Sequence, residues 1–157
     1  MKKTIRRVVS GGVLLALIPA AWSADCRPVT GHFEAGVVAP GTGHCPPVPG
    51  VFCTAGRVWG GIQGDYRFVM SGAIPAATAG GIPTALFFAG QSVISLHDGG
   101  TVVATDSGTL DLPPGQGGFA SLITFDVGGM GQIRLRGEFD PEAGTTSGDY
   151  VGRFCRT

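Results

Sequence analysis

The sequence contains no asparagine, no lysine after Lys3, and only 14% charged residues. The absence of asparagine excludes N-glycosylation, because the acceptor motif requires that residue. Beyond residue 23 the chain carries seven arginines against eleven acids, a formal net charge of −4. Proteins that bind nucleic acids need a basic face to neutralise phosphates. The composition therefore excludes nucleic acid as a partner.

Long apolar runs are also lacking once the first residues are set aside. The stretch 8–21 is apolar but too short to span a bilayer comfortably, and four basic residues precede it within the first seven positions. Small residues at Ala21 and Ser23 fit a signal-peptidase site. We predict a signal peptide over residues 1–23, with Ala24 as the alternative last residue. The mature chain is then exported, periplasmic or secreted, and has no membrane span.

Four cysteines follow this segment, at positions 26, 45, 53 and 155. Export delivers them to an oxidising compartment, where two disulfides are expected. Three connectivities are possible. We favour Cys26–Cys45 with Cys53–Cys155, because the second bridge would join the first and last strands of the domain predicted below.

Motifs for metals and cofactors are missing as well. His32 and His44 stand near Cys26 and Cys45, which leaves a zinc site as an alternative to a disulfide, but no CxxC pair is present. There is also no P-loop, no nucleophile elbow and no zinc-binding histidine pair. The sequence predicts neither a metal nor a cofactor.

Residues 24–50 are rich in proline and glycine and show little periodicity, which predicts an irregular N-terminal segment held by a disulfide. From residue 51 to 157, runs rich in β-branched and aromatic residues alternate with turn signals, and no helical repeat is sustained. Gly90 indicates a bend or bulge that splits the third run and raises the strand count to eight. The predicted runs are Phe52–Gly60, Ile62–Gly72, Thr84–His97, Thr101–Leu112, Phe119–Val127, Gly131–Phe139 and Ser147–Cys155.

A chain of antiparallel hairpins must protect its exposed strand edges, and closure into a barrel removes them. We therefore predict an all-β fold: a single, closed, antiparallel barrel of about eight strands over residues 51–157. The many glycines on inward positions either leave room for a cavity or reflect tight strand curvature.

Asp106 is the most informative single position, because residues two apart in a strand share a face and its neighbours on that face are apolar: Val102, Ala104, Leu110 and Leu112. If that face points inward, a carboxyl group enters the barrel, where it needs a partner or a proton. It would then serve as a general acid or base, or anchor a ligand. The alternative is a bulge at Ser107–Gly108 that turns Asp106 outward.

Two tyrosines and a phenylalanine, Tyr66, Tyr150 and Phe68, also fall on inward positions. Together with Asp106 they form the predicted ligand-binding set, and Asp106, Tyr66 and Tyr150 are the catalytic candidates. No arginine shares the inward face, so a tyrosine hydroxyl is the expected partner of Asp106 and its pKa should rise. The alternative for both tyrosines is an ordinary role in the core.

Glycines recur at regular spacing in the predicted strands. The pattern comprises Gly56 and Gly60, Gly64-Asp65-Tyr66-Arg67-Phe68, Gly128-Gly129-Met130-Gly131 with Ile133, Leu135 and Gly137, and Tyr150-Val151-Gly152. Over about residues 53–155 it resembles the allene oxide cyclase barrel-like family, whose clan includes plant dirigent proteins. Met130 departs from the hydroxyl residue usual in that turn, and none of the plant cyclase's active-site residues is carried over.

The resemblance implies an eight-stranded antiparallel barrel with an internal cavity, in a family with isomerases, cyclases, proteins that steer radical coupling, and homo-oligomers. Three functions follow for this chain. The first is a barrel that binds a small, mainly apolar molecule inside; the second is a cyclase or isomerase; the third is a structural barrel without a ligand. A pocket containing Asp106 would favour the enzyme, and a filled core would exclude both ligand hypotheses.

Overall fold

The structure is a computed structural model that describes residues 25–112 and 117–156. The predicted signal peptide lies outside the described residues. The described chain is all-β and forms eight antiparallel strands. They are β1 (Asp25–Val38), β2 (Cys53–Gly60), β3 (Gly64–Ala79), β4 (Ile82–Leu96), β5 (Thr101–Asp111), β6 (Gly118–Val127), β7 (Met130–Asp140) and β8 (Thr145–Arg156).

The strands pair in chain order, and β1 pairs with β8 to close the barrel. Each strand is thus hydrogen-bonded on both sides within the barrel wall, which removes the exposed edges that an open sheet would leave. The predicted fold class, a closed antiparallel barrel of eight strands, is confirmed. Among the described residues, no helix is long and apolar enough to cross a membrane.

The eighth strand is not where the sequence suggested it. We expected residues 24–50 to be irregular, but Asp25–Val38 forms β1, and its inward side chains Val29, Phe33 and Ala35 are buried. Gly90 does not divide β4, which runs unbroken from Ile82 to Leu96. The barrel therefore begins at residue 25 rather than 51, because pairing with two neighbouring strands overrides the weak local signal of β1.

The predicted disulfide connectivity is wrong. Cys26 lies directly opposite Cys155 in the β1–β8 register, and these two residues form one bridge. Cys45 bonds to Cys53 and holds the loop between β1 and β2 against the start of β2. The first bridge still staples the barrel at its closure, but it does so through β1, the strand that the sequence did not reveal. Two disulfides are typical of proteins in oxidising compartments.

The β3–β4 hairpin is longer than the barrel wall. β3 pairs with β2 only as far as Val69, and β4 pairs with β5 only from Ala85 onward. Residues 71–83 therefore form a two-stranded ribbon whose strands pair only with each other, and this ribbon exposes Ile74 and Ile82. It extends from the end of the barrel at which the cavity described below is found.

The barrel interior divides into a tightly filled end and an emptier one. Ile94, Val102 and Ile123 are almost completely inaccessible to solvent and belong to the filled part. Several glycines on the wall are required by close strand approach. A Cβ at Gly56, for example, would lie 2.5 Å from the Cα of Ala35 on the neighbouring strand. Curvature thus accounts for such a glycine, and the cavity arises elsewhere.

Candidate functional site

A cavity of about 280 Å³ occupies the end of the barrel next to the ribbon. Its wall is mostly apolar, with a few polar side chains from different strands. The lining residues come from all eight strands and their ends: Phe33, Phe52, Thr54, Tyr66, Phe68, Met70, Leu86, Phe88, Asp106, Leu110, Leu112, Phe119, Ser121, Leu135, Phe139 and Thr146. The barrel is therefore not a filled core.

Six of the seven aromatic side chains in this wall are phenylalanines, and they pack as three edge-to-face pairs. The ring centroids are 5.6 to 5.8 Å apart in Phe33–Phe119, Phe52–Phe139 and Phe68–Phe88. This arrangement is favourable for aromatic rings, and each pair bridges different strands. The rings that line the cavity are therefore packed against one another in pairs.

Asp106 reaches the cavity, as expected from strand alternation. Its side chain on β5 is only 3% exposed. Oδ2 accepts hydrogen bonds from the hydroxyl of Ser92 at 3.0 Å and from the hydroxyl of Tyr66 at 3.4 Å. The two hydroxyls are themselves 3.1 Å apart. The three side chains form a hydrogen-bonded cluster, called here the Asp106 cluster, in a mostly apolar wall.

The cluster perturbs the titration of both of its ionisable members. Burial raises the pKa of Asp106 to about 6, and hydroxyls of Ser121, Ser92 and Tyr66 oppose this rise. Burial, together with the negative charge of Asp106, raises the pKa of Tyr66, so its hydroxyl stays protonated. The buried polar or charged side chains of the described residues are Thr54, Ser92, Asp106 and Ser121, and none is a cation. Asp106 thus lacks an ion-pair partner that would lower its pKa.

The strand register explains why Asp106 points inward. β5 pairs with β4 through Asp106↔Gly90 and with β6 through Asp106↔Ile123. The β5–β6 register shifts between Val103 and Ala104, but no bulge occurs at Ser107 or Gly108. The alternative that turned Asp106 outward is therefore wrong. Gly90 has its own role here, since a Cβ at that position would lie 2.5 Å from the Phe68 ring. Its missing side chain gives the ring its place beside the Asp106 cluster.

Tyr150 is not part of the cavity. It is buried on an inward position, but its hydroxyl accepts a hydrogen bond from the Ile62 amide at 2.7 Å and faces the carbonyls of Ile62 and Trp59 at 3.1 and 3.2 Å. It fits closely against Gly31, where a Cβ would lie 2.5 Å from the hydroxyl oxygen. Tyr150 thus fastens the β2–β3 turn to β8, while the other predicted ligand-binding residues, Tyr66, Phe68 and Asp106, meet in the cavity.

The sequence reasoning missed the two serines near Asp106. Ser121 shares a face of β6 with the buried Ile123 and Phe125, so strand alternation would have placed it inside. Ser92 shares a face of β4 with Phe88 and Ile94, so alternation would have placed it inside as well, but not beside Asp106. Only the pairing of β3, β4 and β5 brings Ser92 to the carboxyl group.

Known proteins offer no independent guide to this site. No protein-family model, curated protein or solved structure matches this chain. Over residues 25–112 and 117–156 there is also no group of three or more histidine, cysteine, aspartate or glutamate side chains that could hold a metal ion. The cavity and the Asp106 cluster are therefore the features that indicate the chemistry of the site.

Proposed function

We propose that this chain is an exported barrel that binds one small, mainly apolar molecule inside its cavity. The observation that carries this proposal is a 280 Å³ space lined by phenylalanine and leucine side chains, with one buried carboxyl group in its wall. Ligand sites typically combine an apolar wall with a few convergent polar groups of this kind. Export is supported by the signal-like segment at residues 1–23 and by the two disulfides.

The cavity volume sets the size of the ligand. An engineered apolar cavity of about 150 Å³ holds benzene, so a space of 280 Å³ suits a molecule of about ten to twelve non-hydrogen atoms. At about −0.5 kcal/mol for each such atom, binding would be worth about −6 kcal/mol, a Kd of tens of micromolar. A naphthalene carrying one small substituent has the right size and an aromatic face for the phenylalanine rings.

The proposal is tested by calorimetric titration with 2-naphthalenemethanol as the probe. The wild-type protein should bind one molecule per chain with a Kd of about tens of micromolar. Thr146 lines the cavity from β8, whereas its neighbour Ser147 is exposed. Thr146→Trp should block the cavity and abolish binding, and the control Ser147→Trp should leave it unchanged.

Two results would contradict the proposal. One is the absence of wild-type binding up to about 1 mM probe, which would support a structural barrel without a ligand. The other is unchanged binding by Thr146→Trp, which would place the probe outside the barrel. Native mass spectrometry of the protein purified from its own host adds a direct search for a retained small molecule.

A barrel isomerase or cyclase is the second candidate, and the resemblance to the allene oxide cyclase barrel-like family points the same way. The specific observation in its favour is a carboxyl group in the cavity whose pKa is raised to about 6, close to the value at which a side chain both accepts and donates protons near neutral pH. In this reading Asp106 moves a proton on the bound molecule. The retained molecule, incubated with the protein in D₂O, should then take up deuterium with wild-type protein and not with Asp106→Asn.

A further inference from the structure

One oxygen of the Asp106 carboxyl group, Oδ1, is buried and has no hydrogen-bond partner among the described residues. No other buried side-chain nitrogen or oxygen atom of the described residues lacks a hydrogen-bond partner. Buried polar atoms are paired in the great majority of cases, and an unpaired one calls for an explanation such as a ligand. Because Asp106 also lines the cavity, a bound molecule can supply the missing partner.

The neighbouring hydroxyl groups do not fill this role. Ser92 and Tyr66 both direct their hydroxyls to Oδ2, and each carries a single proton. Ser121, across the β5–β6 pairing, is the hydroxyl that lowers the pKa of Asp106 most, but it lies outside hydrogen-bond geometry with Oδ1. The ionised cluster thus contains an acceptor without a partner, buried beside the cavity, and it has already committed the protons of its own two hydroxyls.

From this geometry we infer that the ligand carries a hydrogen-bond donor, a hydroxyl or an amino group, which binds Oδ1 of Asp106. The inference rests on the proposed function and specifies the chemical class of its ligand: an apolar body with one donating group. A molecule whose sole polar group is a carbonyl or an ether finds no donor at the ionised cluster. A carboxylate would in addition be repelled by the charge of Asp106.

The shape of the cavity orients such a molecule. The Asp106 cluster involves strands β3, β4 and β5, while Leu112, Phe139 and Thr146 lie at the strand ends, toward the ribbon. The donating group would therefore point toward the cluster, and the apolar body would lie against the phenylalanine rings. The last torsion of an aspartate side chain is soft, so a small rotation of the carboxyl group turns Oδ1 toward the ligand.

Four probes of nearly equal size separate the possibilities by calorimetric titration at pH 8. They share the naphthalene body and differ in one group: 2-naphthalenemethanol, 2-(aminomethyl)naphthalene, 2-naphthaldehyde and 2-ethylnaphthalene. A hydrogen bond to a charged group should favour a donor probe over the ethyl and aldehyde probes by about tenfold or more. At pH 8 the amine probe carries a positive charge, so the stronger of the two donor probes shows whether the site favours a neutral hydroxyl or a cationic donor.

The outcomes distinguish a failure of this inference from a failure of the proposed function. If no probe binds, the proposed function is wrong. If all four bind with similar affinity, the cavity takes apolar molecules but Oδ1 selects none of them, and the inference is wrong. Asp106→Leu provides the matched variant: it keeps an apolar cavity, and it should lose the preference for 2-naphthalenemethanol over 2-ethylnaphthalene, because a buried hydroxyl without its acceptor is unfavourable.

A second measurement on the wild-type protein keeps the inference testable if Asp106→Leu does not fold. Burial raises the pKa of Asp106 to about 6, and the groups facing it from β3, β4 and β6 are the uncharged side chains of Tyr66, Ser92 and Ser121. At about pH 4.5 the carboxyl group is protonated and can itself donate to a carbonyl. The preference for the alcohol over the aldehyde should then shrink severalfold, and an unchanged preference would overturn the inference.

Discussion

The buried carboxyl group of Asp106 should make the barrel less stable as the pH rises. Its pKa is raised from an ordinary value of 3.8 to about 6. Well below pH 3.8 the carboxyl group is protonated in both the folded and the unfolded chain, so its ionisation does not lower the free energy of unfolding. Between these two values the unfolded chain ionises first, and above about pH 6 the folded chain carries the full cost of a buried charge.

The size of this cost follows from the two pKa values. A difference of one pKa unit corresponds to about 1.4 kcal/mol, so a rise from 3.8 to about 6 amounts to about 3 kcal/mol. Asp106→Asn preserves the shape of the side chain and removes its titration. Relative to this variant, the wild-type protein should lose about 2.4 kcal/mol of unfolding free energy between pH 4 and pH 7.5, because part of the total is already lost at pH 4.

Urea denaturation at several pH values, followed by the fluorescence of Trp59, measures this difference. All other titrating groups are shared by the two proteins, so their contributions cancel in the comparison. Asp126→Asn is the matched control, because Asp126 is exposed and its carboxylate binds only the Thr105 hydroxyl in the structure. The reasoning is refuted if the difference in unfolding free energy between the wild type and Asp106→Asn does not change with pH. It is also refuted if that difference favours the wild type at high pH.

Two further predictions concern the residues that hold the barrel together. The bridge Cys26–Cys155 spans 129 residues and Cys45–Cys53 spans 8, so in the chain-entropy model replacing each pair by serine should cost about 5 and about 2.5 kcal/mol respectively; equal losses by urea denaturation would contradict that account. Tyr150→Phe leaves the Ile62 amide unpaired and should lower the unfolding free energy by about 1 to 3 kcal/mol without changing probe affinity. If Tyr150→Phe instead weakens probe binding and leaves the unfolding free energy unchanged, Tyr150 belongs to the ligand site.

Strand alternation was the most productive sequence signal. It placed Tyr66, Phe68 and Asp106 inside the barrel, where the structure has them, because side-chain direction in a strand depends only on the parity of the position. It also placed Tyr150 inside, but parity contains no information about height along the barrel. Tyr150 pairs with Leu135, which lines the cavity, but its hydroxyl reaches the opposite end, where the backbone of the β2–β3 turn occupies it.

The local sequence pattern did not predict the first strand. Val29, Phe33 and Ala35 alternate correctly in β1, but Pro28 and several glycines weaken the signal to the level of a loop. The predicted disulfide connectivity was wrong for the same reason. Cys26 was assigned to a loop, so its position opposite Cys155 in a strand pair was not visible. Spacing along the chain does not reveal which cysteines face each other across a barrel.

The amino-acid sequence by itself determined that this chain is an all-β barrel, that its cysteines pair and that Asp106 shares a strand face with apolar residues, because composition, turn residues and strand parity are local properties. The strand register decided that this face points inward and that no bulge turns Asp106 outward. Only the tertiary structure decided which strand closes the barrel and which cysteines bond. It alone brought Ser92 on β4 and Tyr66 on β3 to Oδ2 of Asp106 on β5, left Oδ1 without a partner, and opened the cavity beside them. These features depend on register and on the packing of distant residues, which a linear pattern does not encode.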